Sequence, residues 1–303
     1  MINGFVVIDK PAGITSHDVV SRVRRILGTR KVGHTGTLDP FATGVLPIAV
    51  NDGTKAIPFL DEGIKCYEAL MQLGVATDTL DMTGRVVRES DFSSVSPPQL
   101  LDAFSRFTGP ILQVPPMYSA IKQSGQPLYK LARMGQEVER APRPVEIHSI
   151  ELLSFTSPFV SIRVTCSRGT YVRTLADDIG AMLGCGAALK ELRRTASGPF
   201  EISAAHTLDE LERSVLDGEV SSLCITTFNA LAHLPDIPLT EAGLAKISFG
   251  RSPLWSETTV EGGMLPYELS LVRLSHNGTL AAVATLSHAG DALPAIVLKR
   301  VFI

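Results

Sequence analysis

The chain has 303 residues, 45% of them hydrophobic and 19% charged, with a formal net charge of −3. That composition fits one large globular domain with a minor one beside it, and it excludes disordered, collagen-like and coiled-coil chains. No apolar run reaches the roughly 18 residues of a membrane-spanning helix, and the opening MINGFVVIDKPAG lacks the basic and apolar regions of a secretory signal, so a cytoplasmic location is expected.

The apolar run at 5–8 predicts a buried strand, closed by Lys10-Pro11-Ala12-Gly13. Thr15 or Ser16 is then placed to cap a helix over 17–27, with Val19, Val20, Val23, Ile26 and Leu27 on one face and Arg22 and Arg25 on the other. A glycine-rich segment, GHTGTLDPFATG, fills 33–44. Further strands are expected at 45–50, 67–73, 147–155 and 160–166, with helices at 97–107 and 174–183. Strands and helices alternate without a regular βαβ period, which favours an α+β fold around a mixed or antiparallel sheet. Residues 113–147 carry prolines near both ends and five basic side chains, the make-up of an inserted, solvent-facing arm. Beyond Leu234-Pro235-Asp236-Ile237-Pro238 the pattern turns to short β-like runs, LSLVRL and LAAVATL. This divides the chain into 1–233 and a small β-rich domain at 234–303.

Candidate chemistry centres on the glycine-rich segment. Gly33, Gly36 and Gly44 allow close approach of a ligand or of another backbone. A phosphate loop is excluded, because no GK[ST] follows. Asp39 before Pro40 is a common turn former; a carboxylate in a glycine-walled recess is equally a covalent nucleophile, ionised near neutral pH with an ordinary pKa of about 3.9. His34 reads either as a packed histidine or as a pocket group, and no ligand spacing suggests a metal. Tyr67 opens a strand, and Arg173, between a strand and a helix, can pair with a buried carboxylate or face solvent. The four cysteines are scattered without zinc or disulfide spacing. Charge is uneven: 1–199 hold 22 basic against 19 acidic residues, a net of +3, and 200–303 hold 6 against 12, a net of −6. Arg22, Arg24, Arg25, Arg30 and Lys31, together with Arg193 and Arg194, are numerous enough for a phosphate-tracking surface.

GHTGTLDPFATGVLPI, KCYEALMQLGVATDTLDMTG, PPMYSAIK, SRGTYVRTLADDIG and LRRTASG, in this order over residues 3–200, closely resemble the bacterial tRNA pseudouridine synthase B family. The resemblance implies a catalytic domain of pseudouridine-synthase type, an RNA-clamping arm and a C-terminal PUA-like module. It implies isomerisation of uridine 55 in the T-arm of tRNA by a monomer that needs no cofactor, metal or protein partner. Asp39 falls on the catalytic aspartate. Tyr67 falls on the tyrosine that stacks on the target base and is a candidate for proton transfer at C5, and Arg173 on the arginine that pairs with the aspartate. Tyr171 lies beside it, His34 matches the histidine that holds the everted RNA, Lys10 and Leu192 match pocket positions, and Gly36 belongs to the closely approaching loop. A rival reading is a T-arm folding chaperone without essential catalysis; Asp39 with Arg173 discriminates, since a pure binder needs no buried carboxylate facing a polyanion. A hydrolase built on Asp39 and His34 lacks a recognisable nucleophile elbow.

Overall fold

The computed structural model describes residues 2–123, 125–260, 271–287 and 295–303. At its centre is a mixed sheet of eleven strands among the described residues. The main path runs Ala205–His206, Gly4–Lys10, Thr43–Val50, Ala187–Ser197, Ile64–Leu73, Phe159–Ser167, Arg143–Thr156, Gly109–Gln113. Neighbours are antiparallel except where Thr43–Val50 meets Ala187–Ser197 and Gly4–Lys10 meets Ala205–His206.

The run at 5–8 is continuously apolar because both sheet faces are covered there. Val6 and Ile8 enter one core with Val19, Val20 and Val23 of the helix Ser16–Leu27, Leu100 and Phe104 of Pro97–Phe107, and Leu175 and Ile179 of Val172–Met182. Phe5, Val7, Val45 and Ala49 point the other way, against Leu231, Leu280, Val283 and Phe302. Ile64–Leu73 has one dry face only. Tyr67, Ala69, Met71 and Leu73 are buried, while Glu68 on the opposite face joins Arg163 at 3.0 Å, and Arg163 reaches Glu151 at 3.2 Å.

Thr15 rather than Ser16 caps the first helix. Its hydroxyl accepts from Asp18 N at 3.1 Å while the Asp18 carboxylate accepts from Thr15 N at 2.9 Å, a capping box whose loss costs about 1 kcal/mol. Ser16 is thereby left to the glycine-rich loop: Leu38 N donates to its Oγ at 2.8 Å, and Oγ donates to Leu38 O at 3.1 Å.

Arg143–Thr156 starts earlier than the sequence suggests. Its first residues pair with Gly109–Gln113, so the segment that leaves the sheet is 114–142, narrower than 113–147. That segment carries the helix Leu128–Arg133. Val75–Thr77 and Val86–Glu89 form a two-stranded ribbon that alternation could not reveal, because Val86–Glu89 is exposed on both faces. At the C-terminal end Asp236–Pro238, Leu271–His276, Thr279–Ser287 and Ala295–Val301 make a separate four-stranded sheet. Leu269 and Ser270 of the LSLVRL run lie outside the described residues. No helix among the described residues is long and apolar enough to cross a membrane.

Candidate active site

The loop at 35–42 is pinned from below. Gly13 N donates to Pro40 O at 2.8 Å, Ala42 N donates to Asp39 O at 3.1 Å, and the Ser16 bonds hold Leu38. Lys10 completes the support: its ammonium donates to Pro11 O and Ile14 O at 2.8 Å each and to Pro40 O at 3.2 Å. It is fully buried, and burial lowers its pKa to about 8 against the opposing pull of Asp39. Lys10, expected at a pocket position, is placed by the structure beneath the loop. With all three protons on carbonyls it holds the loop instead of a ligand.

The glycines also serve the protein itself. Gly44 has φ 98°, and a Cβ there would collide with the Arg194 backbone on the neighbouring strand. A Cβ at Gly36 would lie 2.7 Å from Lys65 Nζ, so the missing side chain leaves room for that ammonium. Gly33 meets nothing nearer than Ile57 Cδ1 at 3.8 Å.

Above the loop opens a cavity of about 1110 Å³ faced by Asp39, His34, Tyr67, Tyr171, Arg173 and Leu192. Tyr67 and Leu192 come together because their strands pair, with Leu192 opposite Ala69 and Arg194 opposite Tyr67. Arg173 enters from the first turn of Val172–Met182 and is 3% exposed. Its Nε stands 2.9 Å from Asp39 Oδ2, and its Nη2 donates to Asp39 Oδ1 at 3.2 Å. Three further bonds fix the guanidinium: Nη1 to Thr79 O at 2.9 Å, Nη1 to Asp81 Oδ2 at 3.3 Å, and Nη2 to Tyr118 O at 2.8 Å. Asp81 is itself held, accepting from Thr79 Oγ1 at 2.9 Å and from Thr83 N at 3.0 Å. The result is a buried line of two carboxylates sharing one guanidinium, with the Asp39 end open to the cavity.

The fields in the cavity follow from burial. Burial raises the Asp39 pKa, Arg173 opposes it, and Asp81 adds to the rise. Burial likewise raises Tyr67 and Tyr171, so their phenols stay protonated at neutral pH. His34 is held below its ordinary value by burial, then by Arg194, His17 and Lys65, and is therefore a neutral imidazole.

Two participants escaped sequence reasoning, and the expected arm takes its place beside them. Asp81 lies in the quoted TDTLDMTG stretch, but its partner Arg173 is 92 residues away, and no local pattern marks it. Arg194, expected on the phosphate-tracking surface, is fully buried beneath Tyr67, donating to Val45 O at 2.7 Å and Gly36 O at 3.1 Å. The segment 114–142 contributes Tyr118, Ser119, Tyr129 and Arg133 to the cavity lining. It lies across the cavity, and the Tyr118 carbonyl hooks it to Arg173.

Fold and cavity together define an enzyme site rather than a binding surface, because gripping phosphates gives no use for an aligned carboxylate and guanidinium at the floor of a recess. Comparison with known proteins gives the particular kind. Residues 24–172 match the TruB family pseudouridylate synthase N-terminal domain, and 173–228 match the tRNA pseudouridylate synthase B C-terminal domain. The chain is 54% identical over 303 residues to the tRNA pseudouridine synthase B of Geotalea uraniireducens, covering 99% of this chain and 98% of that protein. It is 41% identical over 303 residues to that of Stutzerimonas stutzeri, covering 98% and 96%. Among solved structures it is similar to one of a Cbf5–Nop10–Gar1 complex, at TM-score 0.75 and 28% identity over 99% of this chain and 85% of that one. The chain belongs to the TruB family of pseudouridylate synthases.

Proposed function

We propose that this chain isomerises uridine 55 in the T-arm of tRNA to pseudouridine, with Asp39 as the nucleophile. The observation that carries the reading is the Asp39–Arg173 pair at the cavity floor, with the Tyr67 ring and Leu192 on its walls. The reaction breaks N1–C1′, turns the uracil, and forms C5–C1′; C5 loses a proton and N1 gains one, so nothing enters or leaves. Extruding a base from a folded loop costs a few kcal/mol. Stacking on an aromatic ring returns about 1–3 kcal/mol, and Tyr67 is the buried ring that faces the cavity.

Asp39 attacks either C6 of the uracil or C1′ of the ribose. Arg173 keeps it ionised against the effect of burial and aims it, and Asp81 on the far side keeps Arg173 from rotating away. Tyr67, neutral at working pH, acts first as a stacking platform. Its hydroxyl moves the C5 proton only as a relay that gives up its own proton as it accepts another. Residues 1–233 form the catalytic domain in this reading, with 114–142 as the arm that closes on RNA and 234–303 as a PUA-like module. The test is incubation of the protein with a T-arm transcript in the presence of chelator, followed by pseudouridine mapping. Product at position 55 alone is expected; product elsewhere, or none, contradicts the assignment.

A further inference from the structure

Where the strand Ile64–Leu73 passes the loop at 33–37, three nitrogen-bearing side chains gather; Arg194 also acts on the Tyr67 phenol, whereas Lys65 has no task in the uracil chemistry. Arg194 bonds two carbonyls, yet its Nη1 is buried without a partner. Lys65 lines the cavity, and among the described residues no carboxylate lies within 4 Å of it or of Arg194. His34 Nδ1 is buried and equally unpartnered. Burial first and then Arg194 disfavour the Lys65 charge, Glu62 and Cys166 favour it, and Arg168 disfavours it. Around His34 stand Arg194, His17 and Lys65. Two cations side by side with no carboxylate within ion-pair distance are costly to bury unless an anion completes the site.

We infer that Lys65, with Arg194 behind it and His34 beside it, forms a subsite for a phosphodiester flanking the everted nucleotide. The inference rests on the nucleoside-isomerase reading above. Uracil and ribose are neutral, so the anion that must enter this cavity with them is their own backbone. The volume of about 1110 Å³ exceeds the typical range of about 300–1,000 Å³ for small-molecule sites, which leaves room for a flanking phosphate. Lysine suits that position, being a point charge on a flexible stem, whereas Arg194 is fixed by two carbonyls and supplies its field from behind. Gly36 is what leaves space for the ammonium.

The experiment is a binding scan by fluorescence anisotropy with T-arm hairpins in which single phosphodiesters are replaced by neutral methylphosphonates. It uses wild type, Lys65→Gln and Lys65→Arg. Wild type should lose about 5-fold in affinity at 0.1 M salt when one of the two phosphates flanking the target uridine is neutralised, from a salt slope of about 0.7 per unpaired-strand phosphate. Lys65→Gln should show the same loss on the unmodified hairpin, no further loss on that methylphosphonate, and a salt slope lower by about 0.7. Lys65→Arg, which keeps the charge, should keep the wild-type salt slope. The subsite is overturned if wild type is indifferent to both flanking replacements, a result that needs no variant to fold, or if Lys65→Gln keeps the full wild-type sensitivity. Pseudouridine formation by wild type on the unmodified hairpin, measured in parallel, separates the two readings: its absence rejects the isomerase, whereas the methylphosphonate pattern alone rejects the subsite.

Discussion

Replacing Asp81 by Asn tests the shared guanidinium, because the structure predicts two effects of opposite sign. Asp81 and Arg173 meet at 3.3 Å with side-chain exposures of 4% and 3%, so the contact is charge-assisted and dry. Asparagine keeps the shape and removes the charge. A hydrogen bond between charged groups contributes about 1.5–3 kcal/mol, and at about 1.36 kcal/mol per decade its loss corresponds to a 10- to 150-fold drop in the single-turnover rate. Asp39, raised first by burial and opposed by Arg173, is raised further by the Asp81 charge. Removing that charge lowers the Asp39 pKa, so the carboxylate stays ionised to lower pH and the acid limb of the rate profile moves down. The assay is pseudouridine formation under single turnover across the acid range, for both proteins at saturating hairpin. A plateau within about 2-fold of wild type, below the smallest loss expected for a charged hydrogen bond, or an acid limb displaced upward, refutes the coupling of Asp81 to Asp39 through Arg173.

Tyr67→Ala should weaken capture of the flipped uridine by about 1–3 kcal/mol and Tyr67→Phe should restore most of it, measured by competition binding; equal losses in both variants would contradict stacking. Affinity should fall steeply with salt, and reversing Arg22 and Arg25, which are exposed on the first helix, should weaken binding while the rate at saturating RNA holds. Arg24 is left out of that pair because it is half-buried and donates to Val32 O at 2.9 Å. Gly44→Ala should lower Tm by about 3–10 °C, because it combines left-handed strain of about 1–3 kcal/mol with a clash against the Arg194 backbone. Gly36→Ala should lower it less, since only the flexible end of Lys65 must move.

Local chemistry made several elements legible in advance. The run at 5–8, the capped helix with its Val19, Val20 and Val23 face, and the alternation from Tyr67 to Leu73 each express a burial pattern of period one, 3.6 or two. The pairing of Asp39 with Arg173 was reached through motifs whose order and spacing carry a family resemblance, because 134 residues separate the two. Long-range partnership is what the sequence conceals. Arg194 reads as a surface charge and Lys10 as a pocket group until backbone carbonyls from other segments surround them. Asp81 carries no mark of its own within TDTLDMTG, since its role exists only through Arg173. Gly36 and Gly44 signalled close approach, Gly33 did not meet it, and the approaching atoms belong to Lys65 and Arg194.

The claim on which the rest depends is that the Asp39 carboxylate performs the chemistry. Asp39→Asn is a mild test of the fold, because burial already disfavours the charge that it removes. The decisive measurement is single-turnover pseudouridine formation by the purified variant at saturating T-arm hairpin, alongside its binding affinity. The account predicts no detectable product with affinity within about 3-fold of wild type, since phosphate contacts dominate binding. Product formed at a rate near that of wild type would contradict it.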